Sequence, residues 1–161
     1  MKALVVYDSK FGNTERIARA IAETLGAGEP VRVLTASSAT EQDLVGIDLL
    51  AVGGPTQAHG ASPALRAFLD HLPPEAVQDV PAVTFDTRLT WPRILAGSAA
   101  VASAKRLRKK GARLVVPPES FLVTGGEGPL VEGELERAHS WANQVRATIG
   151  VAQREPVGAG L

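Results

Sequence analysis

A chain of 161 residues is the size of one domain, long enough for a core shared between a sheet and its covering helices. Seventeen Lys and Arg balance seventeen Asp and Glu, so no global field argues for nucleic acid or a membrane surface as partner. The absence of cysteine excludes disulfides, thiolate metal sites and a Cys nucleophile.

The charge is unevenly placed. Residues 1–80 carry 6 Lys/Arg and 10 Asp/Glu, net −4, and residues 81–161 carry 11 and 7, net +4. The apolar stretch after Met1 and Lys2 stops at Asp8, too short for the core of a signal peptide. No apolar run approaches the ~20 residues of a membrane span. A cytoplasmic protein without membrane insertion is expected. His59, His71 and His139 are scattered without metal-ligand spacing, and no metal is assigned.

In chain order, residues 3–7 form a continuous apolar run, as expected of a central parallel strand buried on both faces. A helix over 14–25 carries Ile17, Ile21 and Leu25 on one stripe. A second strand spans 31–35, and 37–41 reads as a loop with a weak helical turn. The third strand, 48–53, ends in Gly53-Gly54-Pro55. Ser62 is read as the N-cap of the next helix, with Pro63 at its first position and Pro73-Pro74 beyond its end. A fourth strand covers 80–85. One helix over 93–110 stops at Gly111, and 114–116 with 121–123 supplies a fifth strand broken by Pro117-Pro118. A last helix over 132–149 precedes a loose tail, so the domain is drawn as 1–150 and the tail as 151–161.

Strands alternating with helices give a doubly wound α/β domain: a five-stranded parallel sheet with helices on both faces. The order 2-1-3-4-5 is preferred, although periodicity alone does not separate it from 3-2-1-4-5. In such sheets a ligand sits beyond the carboxyl ends of the strands, near the switch in strand order. Three loops fall there: 8–14, 54–61 and 86–91.

The first loop, Ser9-Lys10-Phe11-Gly12-Asn13-Thr14, lies between a buried strand and a helix. Hydroxyls at both ends, a glycine in the bend and successive amides at a helix N-terminus make a phosphate cradle. One glycine is too few for the dinucleotide fingerprint, and Walker A's Gly-Lys-Ser/Thr is absent. The same residues also suit a plain helix start, with Ser9 or Asn13 as cap and Gly12 as turn.

This segment resembles the phosphate loop of the flavodoxin family, Ser/Thr-x-Thr-Gly-x-Thr. Ser9, Gly12 and Thr14 match it, and Phe11 replaces the usual threonine. Val52-Gly53-Gly54-Pro55-Thr56, with a helix ending Arg66-Ala67-Phe68-Leu69, resembles the family's second flavin loop and following helix. The resemblance implies a flavodoxin-like fold and FMN, its phosphate in loop one and its isoalloxazine between loops two and three. It makes Ser9, Lys10, Phe11, Gly12, Asn13 and Thr14 the phosphate candidates. Pro55, Thr56, Gln57, Ala58, His59 and Gly60 are the loop-two candidates, with backbone amides for the ring's pyrimidine edge. Asp86, Thr87, Arg88 and Trp91 are those of loop three: Trp91 as ring cover or helix seal, Arg88 toward the N1–C2 oxygen region, the phosphate or solvent.

No catalytic residue is assigned. The implied function is an FMN-binding electron-transfer protein, a monomer or weak dimer serving redox partner proteins or a quinone-like small molecule. An FMN-dependent quinone or flavin reductase is the alternative, as is a fold relative that has lost flavin and acts as an interaction module. A receiver domain is rejected, because the third strand ends in Gly53-Gly54 where that chemistry needs an aspartate.

Overall fold

The computed structural model describes residues 1–154. The run Ala3–Tyr7 is strand β1, buried along its whole length. It is followed by α1 (Asn13–Gly26), β2 (Arg32–Thr35), a 3-10 turn (Glu41–Leu44), β3 (Leu49–Gln57), β4 (Gly60–Ala61), α2 (Pro63–His71) and α3 (Pro74–Val77). Then come β5 (Pro81–Leu89), α4 (Arg93–Ala96), α5 (Ala99–Lys109), β6 (Arg113–Leu114), β7 (Glu119–Val123) and α6 (Glu134–Arg154).

The sheet runs β2-β1-β3-β5-β6, with β7 also on β5 and β4 on β3. Every pairing except β3 with β4 is parallel. Counting β6 and β7 as one interrupted strand gives the expected order 2-1-3-4-5. The interruption holds Pro117-Pro118, which have no N–H to give to a ladder. β6 pairs with Pro81 and Ala82 of β5, and β7 with the stretch from Phe85 to Leu89.

Alternation along β1 divides the core in two. Ala3, Val5 and Tyr7 face α1 and α6, whereas Leu4 and Val6 face the layer of α2 and α5. On the first face Trp141 of α6 meets the edges of Phe85 and Phe121, with ring centroids 6.3 and 6.0 Å away. Burial of such rings contributes ~1.5–3 kcal/mol each. Gly53 makes room for this cluster: a Cβ there would lie 2.1 Å from the Phe85 ring.

Several boundaries differ from the sequence expectation. β3 and β5 run four residues past 53 and 85, so much of loops two and three is strand. The helix expected over 93–110 is two, broken at Gly97, whose φ of 73° and ψ of −173° only glycine adopts readily. Ser98 then caps α5, accepting from Val101 N at 3.2 Å. Ser62 occupies the N-cap position of α2, but its hydroxyl donates to Asp8 and makes no capping bond. α6 continues past Gly150 to Arg154; the rest of the segment read as a loose tail lies outside the described residues.

Candidate functional site at the carboxyl ends of the strands

β1 delivers Ser9 to the mouth of the sheet, where the chain bends through Gly12 at φ 89° into α1. Ser9 Oγ accepts from the amides of Gly12 (3.1 Å) and Glu15 (3.4 Å), which leaves its proton free to donate elsewhere. Among the described residues the amides of Lys10, Phe11, Asn13 and Thr14 donate to no protein group. They are the orphan donors of a loop and a helix start, and such a set attracts an anion.

A cavity of about 120 Å³ opens on this loop. Ser9, Lys10, Phe11, Asn13 and Thr14 line it from loop one, Pro55 and Thr56 from β3, and Thr87 and Arg88 from β5. Leu89, Val123 and Gly126 complete the wall. Leu89 falls within the third loop read from the sequence, and the glycine-rich 125–129 segment read there as a loop bordering the flavin supplies Gly126; Val123 was missed, although it ends a parallel strand, where a ligand is expected. The 125–128 segment is held against loop one by Asn13, whose Nδ2 donates to Glu127 O at 3.1 Å.

Thr14 and Thr87 share a buried hydrogen bond of 2.8 Å between their hydroxyls, tying the first turn of α1 to β5. Arg88 directs Nη1 to the carbonyls of Leu89 (3.2 Å) and Trp91 (2.5 Å), while its buried Nε has no partner among the described residues. Lys10 and Arg88 are the charged residues lining the cavity, and both are cations. The nearby Glu15 carboxylate is taken by Arg19 at 2.8 Å, and that hydrogen bond holds its pKa below the ordinary value.

The other candidates lie elsewhere. Ala58 and His59 form the two-residue turn between β3 and β4, with φ of 46° and 68°. Gln57, Ala58 and Gly60 line a separate cavity of about 260 Å³ with Arg66 and Arg106. Asp86 is buried and points toward α5, where Oδ2 accepts from Ser98 Oγ (2.5 Å), Ala100 N (3.0 Å) and Thr56 Oγ1 (3.3 Å). Thr56 Oγ1 in turn accepts from Ala99 N at 3.0 Å, so Asp86 and Thr56 fasten the stem of loop two to the start of α5. Trp91 is 61% exposed and lends only its carbonyl to Arg88.

Residues 5–141 match the flavodoxin family. The chain belongs to the flavodoxin family. It is 38% identical over 71 residues to a flavodoxin of Aquifex aeolicus (strain VF5), a stretch covering 43% of this chain and 38% of that relative's length. The matched stretch is therefore well under two thirds of the relative. Among solved structures, a flavodoxin from the domain Archaea superposes with a TM-score of 0.77 at 20% identity, covering 93% of this chain and 99% of that one. Rubredoxin oxygen:oxidoreductase from Desulfovibrio gigas superposes at 0.75 and 18% identity, covering 95% of this chain but 37% of that longer one. At these identities the superpositions show the shared fold.

Flavodoxins bind FMN, and the residues here fit its phosphate. The free amides of loop one, the Lys10 and Arg88 cations and the spare proton of Ser9 are all donors, and acids are absent from the described lining. Phe11 removes one hydroxyl of the flavodoxin pattern but leaves its amide free. Among the described residues no helix is long and apolar enough to cross a membrane.

Proposed function

We propose that this flavodoxin-family chain binds FMN and carries electrons between redox partners in the cytoplasm. The observation that carries the reading is the cation-lined cavity at the ends of β1, β3 and β5, where the residues that carry the free amides share one lining with Lys10 and Arg88. Bound FMN supplies one- and two-electron chemistry. The protein's own part is to hold the phosphate with Ser9, Thr14 and the amides of Lys10, Phe11, Asn13 and Thr14. Segments 54–60 and 89–98 flank the ring. The Asp86–Thr56–Ser98 bonds keep those two segments at a fixed separation, so that little reorganisation accompanies a change of redox state.

The test is an absorption spectrum of the purified apoprotein with added FMN, followed by titration against riboflavin. Flavin bands that shift on binding, and an affinity for FMN well above that for riboflavin, support the reading. A protein that stays colourless overturns it. Sustained turnover with NADPH and a quinone would replace a carrier by a reductase.

A further inference from the structure

Arg88 leaves β5 beside Thr87, lines the anion cavity and makes no salt bridge among the described residues. A half-buried guanidinium with a buried, unpartnered Nε is costly unless something negative completes it. Its Nη1 is already committed to the carbonyls of Leu89 and Trp91, the first residues of the segment that leads to α4. The residue therefore stands at two places at once: in the lining of the cavity, and on the 89–91 backbone through Nη1.

We propose that Arg88 is a specificity-determining residue for the phosphate and that it reports phosphate occupancy to the 89–98 segment. The inference rests on the FMN reading for its physiological ligand, but the recognised chemistry is the phosphate dianion itself. A phosphate oxygen accepting from the guanidinium fixes its plane, and the fixed plane holds the carbonyls of Leu89 and Trp91. The indole of Trp91, exposed on that segment, then changes surroundings when the anion arrives. Lysine at this position would supply charge without the fork that spans both partners. Loop one alone would bind phosphate without signalling to Trp91.

The chain has two tryptophans, Trp91 and the buried Trp141, so Trp91→Phe identifies the source of an emission change. Apoprotein is titrated with inorganic phosphate, and separately with FMN and riboflavin, in wild type, Arg88→Gln, Arg88→Lys, Thr14→Ala and Trp91→Phe. Inorganic phosphate should alter wild-type emission saturably and leave Trp91→Phe unchanged. Arg88→Gln should lose that response and lower the FMN-to-riboflavin affinity ratio about tenfold or more, as expected for a charge-assisted bond. Arg88→Lys should keep part of the ratio and lose the emission change. If Arg88→Gln keeps both the ratio and the response while Thr14→Ala lowers FMN affinity, the role of Arg88 is overturned and the FMN reading stands. If wild type binds no flavin yet answers to inorganic phosphate through Arg88, the FMN reading fails and the Arg88 link is supported. No response to phosphate in any protein overturns the link.

Discussion

The hydroxyls of Thr14 and Thr87, 73 positions apart in the chain, lie 2.8 Å from each other in the wall of the cavity lined by Lys10 and Arg88. The bond joins the helix start that presents the free amides to the strand that presents Arg88. Thr87→Val keeps the shape and removes the bond, at an expected cost of about 1 kcal/mol in unfolding free energy. A double-mutant cycle with Thr14→Val should show a coupling of at least ~0.5 kcal/mol by urea denaturation. Strictly additive losses would mean that the two hydroxyls do not act on each other.

Gly97 sets the distance between loops two and three. A Cβ there would lie 2.2 Å from the carbonyl oxygen of His59, which is backbone and cannot swing aside. Its φ and ψ add a conformational penalty for any other residue. Gly97→Ala should therefore cost about 2–4 kcal/mol, overlap and strain together. Hydrogen exchange should speed up locally across 57–61. Unchanged exchange there would show that the contact does not hold the hairpin.

Arg106, Arg108 and Lys109 in the last turn of α5, with Lys110 just beyond it, form a basic cluster that is partly structural. Lys110 Nζ donates to the carbonyls of Leu69 (2.7 Å), Asp70 (2.8 Å) and Leu72 (2.5 Å), closing the C-terminus of α2. Lys110→Met keeps the stem and strands those carbonyls, at about 1.5–3 kcal/mol. Lys109→Met, at an exposed neighbour, should stay within about 0.5 kcal/mol. Equal effects of the two in thermal denaturation would remove the capping role.

The outer edge of β7 is closed by a carboxylate and a guanidinium. Glu134 Oε2 accepts from Leu122 N at 2.7 Å, and Arg137 donates to Ser120 O and, at 2.8 Å, to Glu134. Edge amides left open invite pairing with other chains. Burial pushes the Glu134 carboxyl up, but the Arg137 hydrogen bond, the Leu122 amide and the Arg137 charge outweigh it and hold the pKa below the ordinary value. A depressed folded pKa stabilises above the unfolded carboxyl's ~4.3 and is lost as pH falls through the lower folded value. Glu134→Gln should thus be less stable than wild type by about 1–3 kcal/mol at neutral pH, the two converging in acid. A gap independent of pH would place the effect in packing instead of charge.

The sequence by itself determined the five-strand parallel framework, its first, second and last long helices, and the composition of loop one. The apolar run at 3–7 has no way to hide except between two helical layers, and Ile17, Ile21 and Leu25 have one face to bury. The stretch from Ser9 to Thr14 carries its own chemistry, because hydroxyls, a glycine bend and a helix start are neighbours in the chain. Local pattern could not say where β5 ends. Once the strand runs to Leu89, its two-residue alternation turns Asp86 toward α5 and Thr87 toward α1, and no signal within 86–91 fixes that continuation. The turn at Ala58 and His59 lacks the Asn-Gly signature and is imposed by the pairing of Thr56 and Gln57 with Ala61 and Gly60. Lys110 shows the same limit from the other side: its partners stand 38 to 41 positions away. Chain-local bonding capacity is written in residue types, but which capacities meet depends on strand register and helix placement, and only the packed tertiary structure supplies those.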